Sequence, residues 1–194
     1  QKAALVNLLD FSRSIFDKQI SLALDKKTTK LSRWPQRTVE ALLLPIVGHK
    51  TKIEESLIQR SGPTPVITQS KDSLISGYTT VKDVITDLPL VVFGDHTCTV
   101  KYLDMPFVRG ADGTQLLKCD SSELTPKCFY YIIANMEITN SGKYERHFKY
   151  LKAAQIPIPD IKSQQLIVNE CEAVDSDAES ASALLNSTLA KISS

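Results

Sequence analysis

Leu90-Val91-Val92-Phe93, then Gly94-Asp95, then Cys98-Thr99-Val100-Lys101-Tyr102 form an apolar β-branched run, a glycine-aspartate break and a second β-rich run. Branched and aromatic side chains suit a pleated, half-buried surface, so short runs of them bounded by turn formers read as strands and tight turns. The same punctuation continues outward. Upstream, Pro65-Val66-Ile67-Thr68 lies between Gly62-Pro63 and Gly77, and downstream Thr114-Gln115-Leu116-Leu117 follows Asp112-Gly113. Thr125-Pro126 is an N-cap with a first-turn proline, and it opens a helix expected to run to about Ile138 with Phe129, Ile132, Ile133 and Met136 among its apolar positions. A short helix or turn spans Thr38 to Leu44 and is closed by Pro45 and Gly48. The fold class is α+β, a mainly β body with packed helices.

Beyond residue 160 the period changes. Ile167, Val174, Ala181 and Thr188 recur at one seam position, and Cys171, Ala178, Leu185 and Ile192 at the other. A seven-residue repeat keeps an apolar stripe facing one partner helix, which makes this a coiled-coil-like seam about 26 residues long, roughly 39 Å. At the other end, Ala3 to Leu24 reads as a helix with Leu5, Leu8, Ile15 and Leu22 on one face, and it is the available partner within the chain. Three segments follow: an N-terminal helix and linker (1–30), a β-rich domain (31–159) and a long helix (160–194).

Composition bounds the function. Of 194 residues, 42% are hydrophobic, and 23 Lys and Arg oppose 22 Asp and Glu, a net charge of +1. That composition excludes disorder, collagen-like repeats and a disulfide miniprotein, and a charge near zero excludes bulk attraction to nucleic acid or acidic membrane. The charge is unevenly divided, at +4 over residues 1–34, +1 over 35–159 and −4 over 160–194. No uncharged stretch approaches the roughly eighteen residues of a membrane span, and no signal-peptide pattern appears. Four scattered cysteines without a CxxC pair read as free thiols in a reduced cytoplasm. The start at Gln1 reads as a cut from a larger polypeptide.

A search for catalytic chemistry returns little. The three histidines, His49, His96 and His147, form no HExxH and no structural-zinc spacing with the cysteines. His96 and Cys98, two apart in a strand, would share a face as base and thiol nucleophile, without a third orienting group. GxSxG, GxxxxGK[ST] and GxGxxG are all absent. Pro159-Asp160-Ile161-Lys162 has a nuclease-like look, but it lacks the second acidic residue and lysine pairing that hold a metal, and it reads as a turn into the long helix. A loop-rich β domain on a helical spacer suits recognition better than turnover.

Four stretches together resemble the target recognition domain of type I restriction-modification specificity (S) subunits, and the equivalent region of fused methyltransferase-nucleases. The first is Pro65-Val66-Ile67-Thr68-Gln69 with Ile75-Ser76-Gly77-Tyr78-Thr79. The second is Val91-Val92-Phe93-Gly94-Asp95-His96-Thr97-Cys98 with Val100-Lys101-Tyr102 and Met105-Pro106-Phe107. The third is Gly110-Ala111-Asp112-Gly113-Thr114. The fourth is Ile156-Pro157-Ile158-Pro159 with Gln164-Gln165, similar to the family's proline-punctuated entry to its spacer helix. The resemblance covers about residues 35–192.

It implies a non-catalytic module that reads one half of a split sequence in double-stranded DNA, while separate subunits methylate adenine and cleave. S-adenosylmethionine, ATP and Mg are then expected only in those partners, with no cofactor on this chain. The implied partners are DNA, a modification (methyltransferase) subunit, and a second copy or second recognition half met through the spacer helices. The implied location is a prokaryotic cytoplasm. A full S subunit usually carries two recognition domains and two spacers, whereas this chain has one of each. Candidate DNA contacts by location are Lys71, Ser73, Tyr78, His96, Thr97, Arg109, Lys143 and Arg146. Gly77, Gly94, Gly110 and Gly113 shape turns, and Phe93, Phe107, Tyr78 and Tyr102 read as core before stacking platforms. The competing class is a protein-interaction or assembly module that docks through its long helix without binding DNA.

Overall fold

The computed structural model describes residues 34–46, 52–110, 113–136, 138 and 146–192. The expected N-terminal helix, Lys143 and the centre of the Gly110–Thr114 motif lie outside them. The chain divides into two compact units, one of which is Pro35–Ile158; the long C-terminal helix belongs to the other.

Unit Pro35–Ile158 is built on three small sheets. β5 (Leu90–Gly94) is the middle of a four-stranded antiparallel sheet, ordered β2 (Leu43–Leu44), β8 (Thr114–Cys119), β5, β6 (Val100–Leu103). Its register sets Leu90 opposite Leu103 and Val92 opposite both Lys101 and Leu116. All five β5 residues are buried, because the strand is covered on both faces. On one face Leu90, Val92 and Leu103 pack with Ile67, Ile85 and Phe107. Side chains alternate across a strand, so Val91 and Phe93 point the other way. There helix α2 (Pro126–Ala134) crosses the sheet with Cys128, Phe129, Tyr131 and Ile133 buried, and Phe148 lies 6.3 Å from Phe93 between ring centroids.

The second sheet runs β4 (Gly77–Thr79), β3 (Thr64–Ile67), β7 (Val108–Arg109), with β3 and β7 parallel. Its Val66 and Val108 bury against Ile53. The third is the pair β1 (Gln36–Thr38) and β9 (Gln155–Pro157), which places the unit's two ends side by side. Ile158 N–H donates to Pro35 C=O at 2.8 Å, and Val39 N–H to Ala154 C=O at 3.0 Å. Helix α1 (Val39–Leu42) is capped by Thr38, whose hydroxyl accepts from Ala41 N–H. The six-residue helix α3 (Phe148–Ala153) completes the unit.

Helix α4 (Ile161–Ile192) has a built start. Asp160 accepts from Ser163 through both the amide (3.0 Å) and the hydroxyl (2.8 Å), and Gln164 turns its amide back onto Pro159 C=O at 2.9 Å. The Pro159–Lys162 segment is thus the turn into a helix, as expected. Ile167 and Cys171 are buried, and Val174, Ala178 and Ala181 are half-buried; every other side chain from 172 to 184 is exposed. The covered stripe therefore follows the seven-residue seam.

Three expectations shift. The helix from Pro126 stops at Ala134 instead of continuing to Ile138, with Asn135 leaving the helical φ/ψ region. The run from Cys98 becomes a strand only at Val100, since Cys98 has φ 54° and Asp95–Thr97 form a turn. His96 and Cys98 are therefore turn residues and do not share a strand face. No helix of the described residues is long and apolar enough to cross a membrane, and the four cysteines are free thiols.

Candidate functional site

Four of the residues singled out in the sequence, Lys71, Ser73, His96 and Thr97, come together where β3 and β5 end. The chain leaves β3 at Thr68 and returns to β4 at Gly77, and short polar side chains close this loop on itself. Thr68 and Ser76 share a hydroxyl hydrogen bond at 2.6 Å, and Thr68 Oγ1 also accepts from Ser70 N–H at 3.2 Å. Ser70 Oγ accepts from Asp72 N–H at 3.3 Å, and Ser73 donates its hydroxyl to Ile75 C=O at 2.9 Å. Such local bonds let Ser and Thr replace secondary structure as the organiser of backbone.

Gln69 locks this loop to the turn after β5. Its side-chain oxygen accepts from His96 N–H at 3.1 Å, and its backbone carbonyl accepts the Thr97 hydroxyl at 2.8 Å. The turn is closed internally by Cys98 N–H to Gly94 C=O and Gly94 N–H to Thr99 C=O, both 2.8 Å. Gly94 and Gly113 make room. A Cβ on Gly94 would stand 2.2 Å from Thr97 Oγ1 and 2.8 Å from Gln69 Cβ. Gly113 has φ +84°, a left-handed conformation, and its Cβ would stand 2.5 Å from Gln69 Nε2.

Lys101 supports the loop from below. It takes an inward register position on β6 and is only 6% exposed, where alternation calls for an apolar residue. Its ammonium donates to three loop carbonyls, Ser73 at 2.8 Å, Thr68 at 2.9 Å and Leu74 at 3.2 Å. Burial lowers its pKa from the ordinary lysine value.

Asp95 ties the same turn to α3. Buried at 3% exposure, it donates its N–H to Gly113 C=O at 2.7 Å, accepts His147 N–H on its carbonyl at 2.9 Å and Phe148 N–H on its carboxylate at 2.8 Å. A carboxylate at that helix start suits the unpaired amides there. Arg146, immediately before, is exposed.

Of the sequence candidates, Lys71, Ser73, His96 and Thr97 come together on the interlocked loop and turn. Lys71 and Ser73 are exposed, whereas the Thr97 hydroxyl and the Ser73 hydroxyl are each spent on a backbone carbonyl. Arg109 is half-buried and donates Nε–H to Thr114 C=O at 2.7 Å, bracing β7 against β8. Tyr78 lies on β4, half-buried, where it lines an open pocket of about 400 Å³ with Ile58, Gln59, Arg60, Ile75 and Ser76. Sequence reading missed Gln69, Lys101, Asp95 and Arg60 as site residues. The one legible signal was a lysine at an inward position of an apolar strand.

The thiols do not favour nucleophilic chemistry. Burial raises the Cys98 pKa above its ordinary value, with Asp95 adding to the rise and Lys71 opposing it. Cys119 and Cys128 are pushed up to about 12, chiefly by burial. A thiol attacks as its thiolate, so these shifts work against reaction. Among the described residues no group of three His, Cys, Asp or Glu side chains is arranged to hold a metal ion.

No protein-family profile matches the sequence, and no curated protein does either. Solved structures do. The chain is similar to the type I restriction-modification S subunit from M. genitalium, with 13% identity and a TM-score of 0.67 over 95% of this chain and 53% of that one. It is also similar to a chain of a type I restriction-modification system solved for its complex assembly and conformational transition, with 15% identity and a TM-score of 0.56 over 98% of this chain and 54% of that one. The likeness shows the fold: this chain has the α+β architecture with a long C-terminal helix found in type I S subunits, as the sequence resemblance implied. It spans about half the length of the chains it matches.

Proposed function

We propose that this chain is a non-catalytic recognition module for double-stranded DNA in a restriction-modification system, reading one half of a split target and directing a partner adenine methyltransferase and nuclease to it. In this reading residues 31–159 recognise DNA, and the helix from 160 is a spacer that pairs through its seam with the N-terminal helix or with a second recognition half. Catalysis and its cofactors (S-adenosylmethionine, ATP and Mg) belong to the partner subunits of a prokaryotic cytoplasm.

The observation that carries the proposal is the interlocked loop and turn. Gln69 and Lys101 fix two adjacent connections on a buried sheet, so that Lys71 and Ser73 stand outward at a set spacing. A rigid scaffold that presents polar loop residues is what base reading demands, since a bidentate contact tolerates little misplacement. The exposed Lys71 and Arg146 supply cations for phosphates and His96 lies where base edges would be met, while Ser73, Thr97 and Arg109 each spend a donor on a backbone carbonyl and shape the surface. Lys143 joins this set as an expectation from the sequence. Tyr78 with Arg60 forms the flank of the surface.

Methylation mapping of the source genome before and after deletion of the gene tests this directly. A bipartite adenine-methylation motif should vanish on deletion, and an unchanged methylome would refute the reading. The near-neutral charge of residues 35–159 favours the second reading, a protein-docking module. Failure to bind any duplex at low salt with the modification subunit present would decide for that alternative. A thiol enzyme at Cys98 is addressed by Cys98→Ala, which should leave duplex binding unchanged.

A further inference from the structure

Lys101 is a charged group placed where the sheet asks for an apolar one. On β6, Lys101 and Leu103 point inward; Leu103 packs with Leu90, Val92, Ile67 and Phe107, and Lys101 stands across from Val92 on the same face. Taking an ammonium out of water is costly, and the cost is offset only when its protons find acceptors. Here all three do, and each acceptor is a main-chain carbonyl of one loop, at Thr68, Ser73 and Leu74. Those carbonyls lie 27 to 33 residues away in sequence, at both ends of the segment that carries Lys71. Carbonyls converging on one point would repel one another without the cation between them. The same segment is bonded to the Gly94–Thr99 turn at Gln69, and Lys101 adds the bonds that tie Ser73 and Leu74 to β6.

We infer that Lys101 is the positioning residue of the recognition surface: its buried ammonium holds Thr68–Leu74 in one shape and thereby sets the selectivity of the loop, without touching DNA itself. This rests on the DNA-recognition reading above. Lys101 has no exposed face from which to grip phosphate, so its loss should change which duplex is preferred more than how strongly duplexes in general are held.

The experiment uses the full chain, its Lys101→Met variant, which keeps the aliphatic stem and removes the three donors, and Lys101→Arg, which keeps charge and donors. The probes are the best-bound sequence selected from a randomised duplex library and poly(dI-dC) as non-specific competitor. With Lys101→Met, amide hydrogen exchange should quicken across residues 69–76 while β5 and β8 stay protected. The preference for the selected duplex should fall about tenfold or more, the scale of one lost base-pair contact, with the salt dependence unchanged. Lys101→Arg should recover part of that preference. In the unaltered protein the Lys101 ammonium should give a slowly exchanging ¹⁵N resonance, a measurement that does not depend on a variant folding.

Unchanged exchange at 69–76, unchanged selectivity despite a loosened loop, or a fast-exchanging ammonium in the unaltered protein would each overturn the inference. If the unaltered protein selects no duplex at all, the functional reading fails instead, and the exchange and ¹⁵N measurements alone decide whether Lys101 fixes the loop.

Discussion

The side chain of Gln69 fits between the turn after β5 and the start of β8 only because Gly94 and Gly113 lack a Cβ there. Gly94→Ala should therefore force apart Thr97 and Gln69 and lower stability by about 1–3 kcal/mol, the usual cost of overpacking, measured by urea unfolding. The displaced Gln69 should also release the His96 amide, so faster exchange at that amide accompanies the loss; a variant as stable as the parent would show that the turn gives way freely. Part of this was legible in the sequence. Glycines at breaks between β-rich runs signal turns; Gly110 and Gly113 lie between β7 and β8, whereas Gly77 and Gly94 are the end residues of strands β4 and β5. That Gln69 is the object they accommodate was not legible, because nothing local marks a glutamine whose partners lie 27 and 28 residues away.

At the scale of elements, the start of α4 depends on one exposed carboxylate. Ser163 donates both amide and hydroxyl to Asp160, and these bonds lower its pKa below the ordinary aspartate value. A depressed carboxylate pKa means that the contribution is present above the ordinary value of 3.8 and is lost as pH falls through the lower folded value. Protection of the Ser163 amide should thus persist at pH 5 and disappear only well into acid, and Asp160→Ala should abolish it at every pH while leaving β5 and β8 protected. Unaltered Ser163 exchange in that variant would count against the cap. This element was readable in advance: proline, aspartate and then an apolar heptad are local signals, and the burial of Ile167 and Cys171 and half-burial of Val174, Ala178 and Ala181 follow the repeat. The run after Cys98 departs from the sequence expectation for the opposite reason. Its β-rich composition was outweighed by a turn bonded through Gly94 and Thr99, which delays the strand to Val100.

For the whole molecule, charge sets the expected strength of binding. Residues 35–159 carry fourteen Lys and Arg against thirteen Asp and Glu, and several of the cations are already engaged. Arg37 pairs with Glu123 at 3.2 Å, Lys152 with Glu40 at 2.7 Å and Lys118 with Asp87, while Lys101 is buried. With thirteen acidic groups on the same residues, the rest give little net attraction for phosphates. The chain alone should bind duplex weakly, with a log–log salt slope corresponding to fewer than about four released counterions, and the slope should steepen when the modification subunit joins. A steep slope for the isolated chain would mean that the phosphate grip is its own.

The sequence by itself determined the fold class, the location of the loops and the seam of the long helix, because each rests on periodicity, turn chemistry or capping within a few neighbouring residues, and the likeness to S subunits was carried by the order of four motifs along the chain. Only the tertiary structure decided what the polar residues do. Thr97 and Arg109, read as candidate contacts, spend hydrogen-bonding atoms on Gln69 and Thr114, and Lys101, read as part of a strand, holds the loop that presents Lys71. Whether a polar side chain is a contact or a brace depends on which distant backbone groups need a partner, and that is fixed when β6 pairs with β5 beneath the loop from β3.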